Sequence, residues 1–492
     1  MTLRQIVRAA VGAVLLAALG HAAQAQQITI ALGSEPTTLD PQVREDGSER
    51  AVNDNIYETL MARTREGALV PGLAAEAPKL VDPTTWQVKL RPGIKFHDGT
   101  PLDAAAVVYS VQRIIDPKLK SEQASFFSTI TGASKVDALT VRITTNGPDP
   151  IMAARLYWLK IMSPAHGASK QVGAVPMGSG PYKFVGWNRG RDITLEANPD
   201  YWGDKPKIRK VAYRFVSEPG TRLAGLMAGE FDLITNLLPE FAGRVPKAAH
   251  VQGLEHPIVI LNADGGITRD PRVRKALNLA VDKQALAEGL FEGRARVSTG
   301  QLLSPSHFGF NDKLKGYAYD PAQAKKLLAE AGAAGKKIQL VGTSGRWLKD
   351  REVIEAVAAY WEAAGMKVEV KIYEFGEYLN RLFDRNTRAD AIFVVNSNEM
   401  MDADRSLSAY YKPGGVGASN KDARLGQLID AARTEVDPAK RKAMYNEAVQ
   451  LAYDNAYFVW LLNIEDVYGL SKRLEWTPRV DAKILVREMS VK

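Results

Sequence analysis

The sequence of 492 residues predicts an α/β protein of more than one domain. Three stretches carry that reading. From Ile338 to Val395 the pattern runs strand (Ile338 to Val341), helix (Asp350 to Ala364, stopped by Gly365), strand (Lys367 to Tyr373), helix (Tyr378 to Asp384) and strand (Ala391 to Val395), an alternation with short links that argues for a mostly parallel sheet under helices. From Gly180 to Ile234 short strands crowd together, at Tyr182 to Gly186, Ile193 to Glu196 and Val211 to Phe215, before a helix around Leu223 to Ala228. A late strand, Tyr457 to Leu462, implies that the C-terminal stretch returns to an earlier domain.

The remaining elements follow from local chemistry. Gln27 to Leu32 reads as a strand, and after the Gly33-Ser34-Glu35-Pro36 turn the segment Ser48 to Ala62 has helical spacing. Trp86 to Arg91 alternates apolar and polar residues, as a half-buried strand does. His97 to Pro101 forms a turn, in which Asp and Gly supply the backbone geometry. Asp103 caps the next helix, whose Val107, Val108, Val111, Ile114 and Ile115 share a face. Asp270-Pro271 and Asp320-Pro321 each start a helix, pairing a capping carboxylate with proline at the first helical position, where its missing N–H costs nothing. In the helix after Pro271, Val273, Ala276, Leu277 and Ala280 face inward, so Arg272, Arg274 and Lys275 read as its solvated side.

Composition narrows the chemistry. There is no cysteine, which removes thiolate nucleophiles, Cys-ligated metals and redox pairs. At the N-terminus, Arg4 and Arg8 precede an apolar run from Ala9 to Leu19 that ends in Ala23-Gln24-Ala25, the pattern of a cleavable secretory signal over residues 1–25. The run is shorter than the ~20 residues a membrane-spanning helix needs. Its removal takes two arginines and no acid, lowering the net charge from +8 to +6. With no dense Lys/Arg block, nucleic acid is not an expected partner.

A secreted hydrolase is the rival class, but neither GxSxG nor HExxH occurs, and His97, His166, His250, His256 and His307 are dispersed. Gly332 to Lys337 lacks the length and the hydroxyl residue of a phosphate-binding loop, and Asp402-Ala403-Asp404 lacks the glycine and distal glutamate of a calcium loop. Neither a cofactor nor a resident metal is expected.

The segment from Thr84 to Arg113, TTWQVKLRPGIKFHDGTPLDAAAVVYSVQR, resembles the signature of the solute-binding proteins of peptide-type (family 5) ABC transporters, a group that includes nickel-, opine- and glutathione-binding members. Further matches follow in order: SEPTTLDP at Ser34, GSGPYKF at Gly178, ANPDYWG at Ala197, LMAGEFDL at Leu226, DPRVRKALNLAVDK at Asp270, YDPAQAKKLLAEAG at Tyr319 and VIEAVAAYWEAAGMKVEV at Val353. The resemblance implies a periplasmic-binding-protein-like fold of type II, with two α/β lobes that close on a ligand and an extra domain. Domain I would comprise residues 26–60, 175–264 and 464–492, domain II residues 61–174 and domain III residues 265–463. It also implies a monomeric periplasmic receptor, not an enzyme, whose partners are a short peptide or related small polar solute and an inner-membrane ABC permease with its ATPase subunits.

Ligand contacts in this family come from loops facing the hinge. Glu35 matches a cleft-lining position of peptide binders, and equally can cap the turn before Pro36. Asn396 to Asp402 follows a buried strand at its carboxyl end, where open α/β sheets bind ligands. Peptide binders carry Trp-x-Ala-Asp-Tyr there, the aspartate pairing with the peptide's amino group. Glu399 keeps that carboxylate, while Asn396 and Met400 replace the aromatics. With Asn398 and Asp402 nearby, the pocket suggests a polar ligand with an amine or hydroxyls, such as an opine, a modified amino acid or a short peptide. Arg346 and Trp347, in another strand-end loop, can grip a carboxylate and cover an apolar group, or Arg346 can pair with a surface acid.

Overall fold

The computed structural model describes residues 26–384 and 388–492, and the expected signal peptide lies outside them. Apolar residues gather around three sheets. In the first, strand Gln27–Leu32 lies parallel to Lys210–Phe215 on one side and to Leu233–Ile234 on the other. Asp192–Ala197 and Tyr182–Asn188 extend it antiparallel at one end, and Leu462–Leu470 and Lys247–Gln252 at the other. Ile28, Ile30, Tyr182, Ile193, Val211 and Tyr213 are its buried core.

The second sheet is a four-stranded antiparallel unit built from Lys79–Asp82, Thr85–Lys89, Ile130–Asp137 and Thr140–Thr145. Helix Ala104–Ile115 packs on it, capped by the Asp103 carboxylate, which accepts from the N–H groups of Ala105 and Ala106. Val107, Val111 and Ile114 face inward as expected. The predicted His97 turn also ties this unit to the first sheet. The His97 ring bonds to the Gly180 carbonyl at 3.0 Å and its backbone N–H to the Gly178 carbonyl at 2.8 Å.

In the third sheet, Lys337–Thr343 is parallel to both Lys367–Tyr373 and Ala391–Ser397. The sequence reading is corrected on the other half of this sheet, because Glu255–Leu261 joins antiparallel to Ala391–Ser397 and Phe458–Trp460. Helices Pro271–Leu279 and Pro321–Glu330 begin where expected, Asp270 and Asp320 accepting from Arg272 N–H and Gln323 N–H.

Three other expectations change. The helix foreseen over 48–62 spans Gly47–Ile56, because Tyr57 turns to extended backbone and Met61–Arg63 pairs with Leu69–Pro71. Arg274 is not on a solvated face: it is 4% exposed, and its guanidinium donates to the carbonyls of Thr268, Arg269 and Asn455. The single late strand is two strands parted at Leu461, with Phe458–Trp460 in the third sheet and Leu462–Leu470 in the first.

That break makes one of two crossings between lobes. The other is Gly253-Leu254, between Lys247–Gln252 of the first sheet and Glu255–Leu261 of the third. The crossings lie side by side, with Gly253 N–H donating to Ile464 O at 3.0 Å and Leu461 N–H to Pro257 O at 3.3 Å. A Cβ at Gly253 would stand 2.7 Å from the Ile464 carbonyl oxygen, so this close approach requires glycine.

Candidate functional site

A cleft opens beside the two crossings. One chamber of about 620 Å³ lies against the end of strand Gln27–Leu32 and helix Gly47–Ile56. A second of about 820 Å³ lies between the third sheet and the second unit. Both are lined by Asp46, Glu255, Arg346, Ser397 and Glu399, which form their common wall.

Arg346 belongs to this wall because of a local device. The Asp350 carboxylate, buried at the start of helix Asp350–Ala363, accepts from the backbone N–H groups of Gly345, Arg346 and Trp347, pinning the loop. The Arg346 guanidinium lies 5.7 Å from the Trp347 ring centroid and 5.5 Å from that of Phe375, within the range of cation–π attraction. It forms no ion pair among the described residues, and the surface-acid alternative is not realised. Trp347 is half-buried, edge-on to Phe375, Tyr378 and Phe393, and lines the larger chamber.

Glu399 also faces the common wall, 3.0 Å from Arg405. Burial works against its charge, but Arg405, a backbone N–H bond, Arg50 and the Ser397 hydroxyl together more than offset this and hold the carboxyl below its usual value. Asn396 lines the larger chamber, although it is buried and its amide donates to Ser406 Oγ at 3.2 Å.

The structure places three expected residues differently. Asn398 is fully buried, its amide spent on Asp402 O and Ser406 Oγ, both at 2.9 Å, while His307 donates to its carbonyl. Asp402 turns away from the cleft into a two-pronged bond with buried Arg441, at 2.6 and 2.8 Å. The Glu35 carboxylate borders the smaller chamber but accepts from Trp187 Nε1 at 2.8 Å and from Gly190 N–H, fastening the turn between two strands. The amides and acid read as a polar pocket thus mostly hold their own loop together.

Two carboxylates escaped the sequence reading. Glu255 opens a strand at one crossing and Asp466 lies in the strand beyond the other; both line the smaller chamber. Neither side chain has a hydrogen-bond donor or ion-pair partner among the described residues. Burial, reinforced by Asp466 and Glu399, pushes the Glu255 carboxyl up to about 7 against the pull of Arg346. Burial raises Asp466 to about 6 despite Arg50. The available signal was an acid leading into an apolar run, as in Glu255-His-Pro-Ile-Val-Ile-Leu. Nothing local marked Phe126 or Tyr410, which also line the larger chamber, from the second unit and from the π-helical turn Leu407–Tyr411 respectively.

The cleft therefore offers a free guanidinium and unpartnered carboxylates within one enclosure. Among the described residues no three acids or histidines gather as a metal site would require. No helix of the described chain is long and apolar enough to cross a membrane.

Comparison with known proteins agrees with this architecture. The chain is 28% identical to the glutathione-binding protein GsiB of Pectobacterium atrosepticum over 492 residues, covering 96% of this chain and 95% of that one. The binding protein AgaA of A. tumefaciens R10, solved with agropinic acid, superposes with a TM-score of 0.76 at 27% identity, covering 95% of this chain and 99% of that one. HbpA2 of Haemophilus parasuis gives a TM-score of 0.85 at 23% identity, with 95% and 100% covered. The family model described as "Bacterial extracellular solute-binding proteins, family 5 Middle" matches residues 68–418, and the chain belongs to that family.

Proposed function

We propose that the chain is the receptor of an ABC importer and captures a small zwitterionic solute, a short peptide or a related compound such as an opine. The observation that carries this reading is the common wall, where unpaired Arg346 faces a chamber that also holds unpartnered Glu255 and Asp466. A ligand carboxylate answers the guanidinium in two-pronged geometry, and a ligand ammonium answers the acids. The relatives support the class, since one is named for glutathione and another was solved with agropinic acid.

The lobe boundaries lie at the two crossings, so the expected bounds at 264 and 464 move to them, giving domain I as 26–60, 175–254 and 462–492, domain II as 61–174 and domain III as 255–461, because Glu255–Leu261 pairs within the third sheet and Leu462–Leu470 within the first. Ligand binding favours a closed arrangement through the two crossings at Gly253-Leu254 and Leu461, and an inner-membrane permease with its ATPase subunits reads that shape. The receptor acts as a periplasmic monomer and returns its ligand unchanged. Native mass spectrometry of protein purified from a periplasm tests this: a bound, intact compound bearing both charges is expected, whereas conversion of added peptides to products would replace the receptor with a hydrolase. Arg346→Ala and Glu399→Gln should each weaken binding in calorimetry, and unchanged affinity in both would remove the wall from the site.

A further inference from the structure

The second unit is fastened to the first lobe by largely buried ion pairs, Arg113 to Asp40 at 2.5 Å and Lys160 to Glu45 and Asp54 at 2.6 and 2.9 Å. On the third lobe it takes hold of the Glu399 loop. Met400, 2% exposed, is packed into the second unit's own apolar core. The Trp158 indole N–H donates to the Glu399 carbonyl at 3.3 Å, and the Arg63 guanidinium donates to the carbonyls of Met400 at 2.7 Å and Gly67 at 2.6 Å. Arg63 is buried and forms no ion pair among the described residues, so its charge is spent on carbonyls, a costly arrangement. The next loop residue, Met401, holds φ +53°, a backbone that a side chain keeps only where its surroundings enforce it.

The two guanidiniums that face the Glu399 charge also rest on this unit. Arg405, 3.0 Å from the carboxylate, lies 4.5 Å from the Phe126 ring centroid, and Arg50 lies 5.4 Å from that of Trp158. The two rings meet edge-on, their centroids 5.3 Å apart. Neither Trp158 nor Arg63 borders either chamber of the cleft.

We infer that the second unit is a positioning platform for the Glu399 carboxylate: Trp158 and Arg63 fix the backbone of its loop, and the Phe126–Trp158 pair seats the two guanidiniums that face its charge. The inference rests on the receptor reading above, which places Glu399 in the ligand site, and adds positioning residues that act on it from behind. A guanidinium stacked on a ring is attracted to its face and gives up the freedom to swing into water. The ordering is then complete before a ligand arrives, so less binding free energy is lost in arranging the wall.

Titration of the Glu399 carboxyl by NMR in ligand-free, carboxyl-labelled protein tests the platform, the signal being identified by its loss in Glu399→Gln. Phe126→Leu keeps bulk and removes the ring under Arg405, and should raise the proton affinity of Glu399 about threefold or more. Trp158→Phe keeps a ring and removes the donor, and should speed hydrogen exchange of the Met401 amide about fivefold or more. Val88→Ala, a cut in the core of the same unit, should lower the melting temperature and move neither signal. Both signals unchanged in the ring variants would overturn the platform, and so would equal changes in Val88→Ala, which would mark a merely structural role. In calorimetry with reduced glutathione and Ala-Ala-Ala, whichever binds the parent should bind Trp158→Phe about threefold or more weakly. Equal affinity beside a disturbed loop would remove Glu399 from the ligand site and leave the platform standing. Neither probe binding the parent would overturn the zwitterionic ligand, while the titration still decides the platform.

Discussion

Replacing Glu255 by glutamine should stabilise the protein at high pH and leave it unchanged in acid. Burial beside Asp466 and Glu399 lifts this carboxyl from 4.5 to about 7 in the fold. Below 4.5 it is protonated in both folded and unfolded chains and contributes nothing. Between 4.5 and about 7 the unfolded chain releases the proton and the fold retains it, so stability falls as pH rises; above 7 the penalty is complete and constant. At 1.36 kcal/mol per tenfold, the charge costs about 3 kcal/mol, which the carboxyl's partial contact with cleft solvent trims to about 2. Glutamine keeps the shape and cannot ionise. Urea unfolding followed by tryptophan fluorescence, on both proteins from pH 4.5 to 8, isolates Glu255 together with its coupling to Asp466 and Glu399, because acids that do not interact with it cancel in the difference. The variant should gain about 2 kcal/mol on the parent across that range. A difference that is flat with pH, or a parent that gains on the variant above pH 7, would refute the argument.

Asp402→Ala should cost about 3 to 5 kcal/mol in thermal or urea unfolding, because it leaves the buried Arg441 guanidinium without its counter-charge. Gly178→Ala should lower the melting temperature sharply or prevent folding, since a Cβ there would stand 2.1 Å from the Ile56 carbonyl oxygen. Lys160→Met should destabilise by a similar few kcal/mol, about 3 or more, because Glu45 and Asp54 flank the buried ammonium at 2.6 and 2.9 Å and would be left facing each other. Arg346→Ala should leave the melting temperature of the ligand-free protein within about 1 °C, as an unpaired exposed guanidinium adds little to the fold.

The elements legible in the sequence were those whose cause is local. The Asp-Pro caps at Asp270 and Asp320, the Asp103 cap and the alternating strands each depend on a few neighbouring residues. The break at Leu461 was not legible, because Phe458 to Leu470 is apolar throughout most of its length and only pairing with distant strands assigns its halves to two sheets. Arg274 was misread for a similar reason: the carbonyls that hold it include Asn455, 181 residues away. At the cleft, Arg346, Trp347 and Glu399 were found from their positions at strand ends. Asn398 and Asp402 share that loop, but their side chains are consumed by Ser406 and Arg441, and residue type alone does not reveal an internal partner. Glu255 and Asp466 sit at crossings that no local pattern marked.

The interleaved first sheet sets a timetable for the chain's maturation. Strand Gln27–Leu32 is among the earliest made, yet its neighbour Leu233–Ile234 pairs in turn with Leu462–Leu470, and Asn55 is held by the Ile484 carbonyl and the Val486 N–H. At typical synthesis rates the first strand waits roughly 20 to 90 s before those last residues exist. For all that time this lobe lacks the strand that joins Lys247–Gln252 to the rest of its sheet, so the nascent chain stays without a finished native lobe until its last stretch has been made.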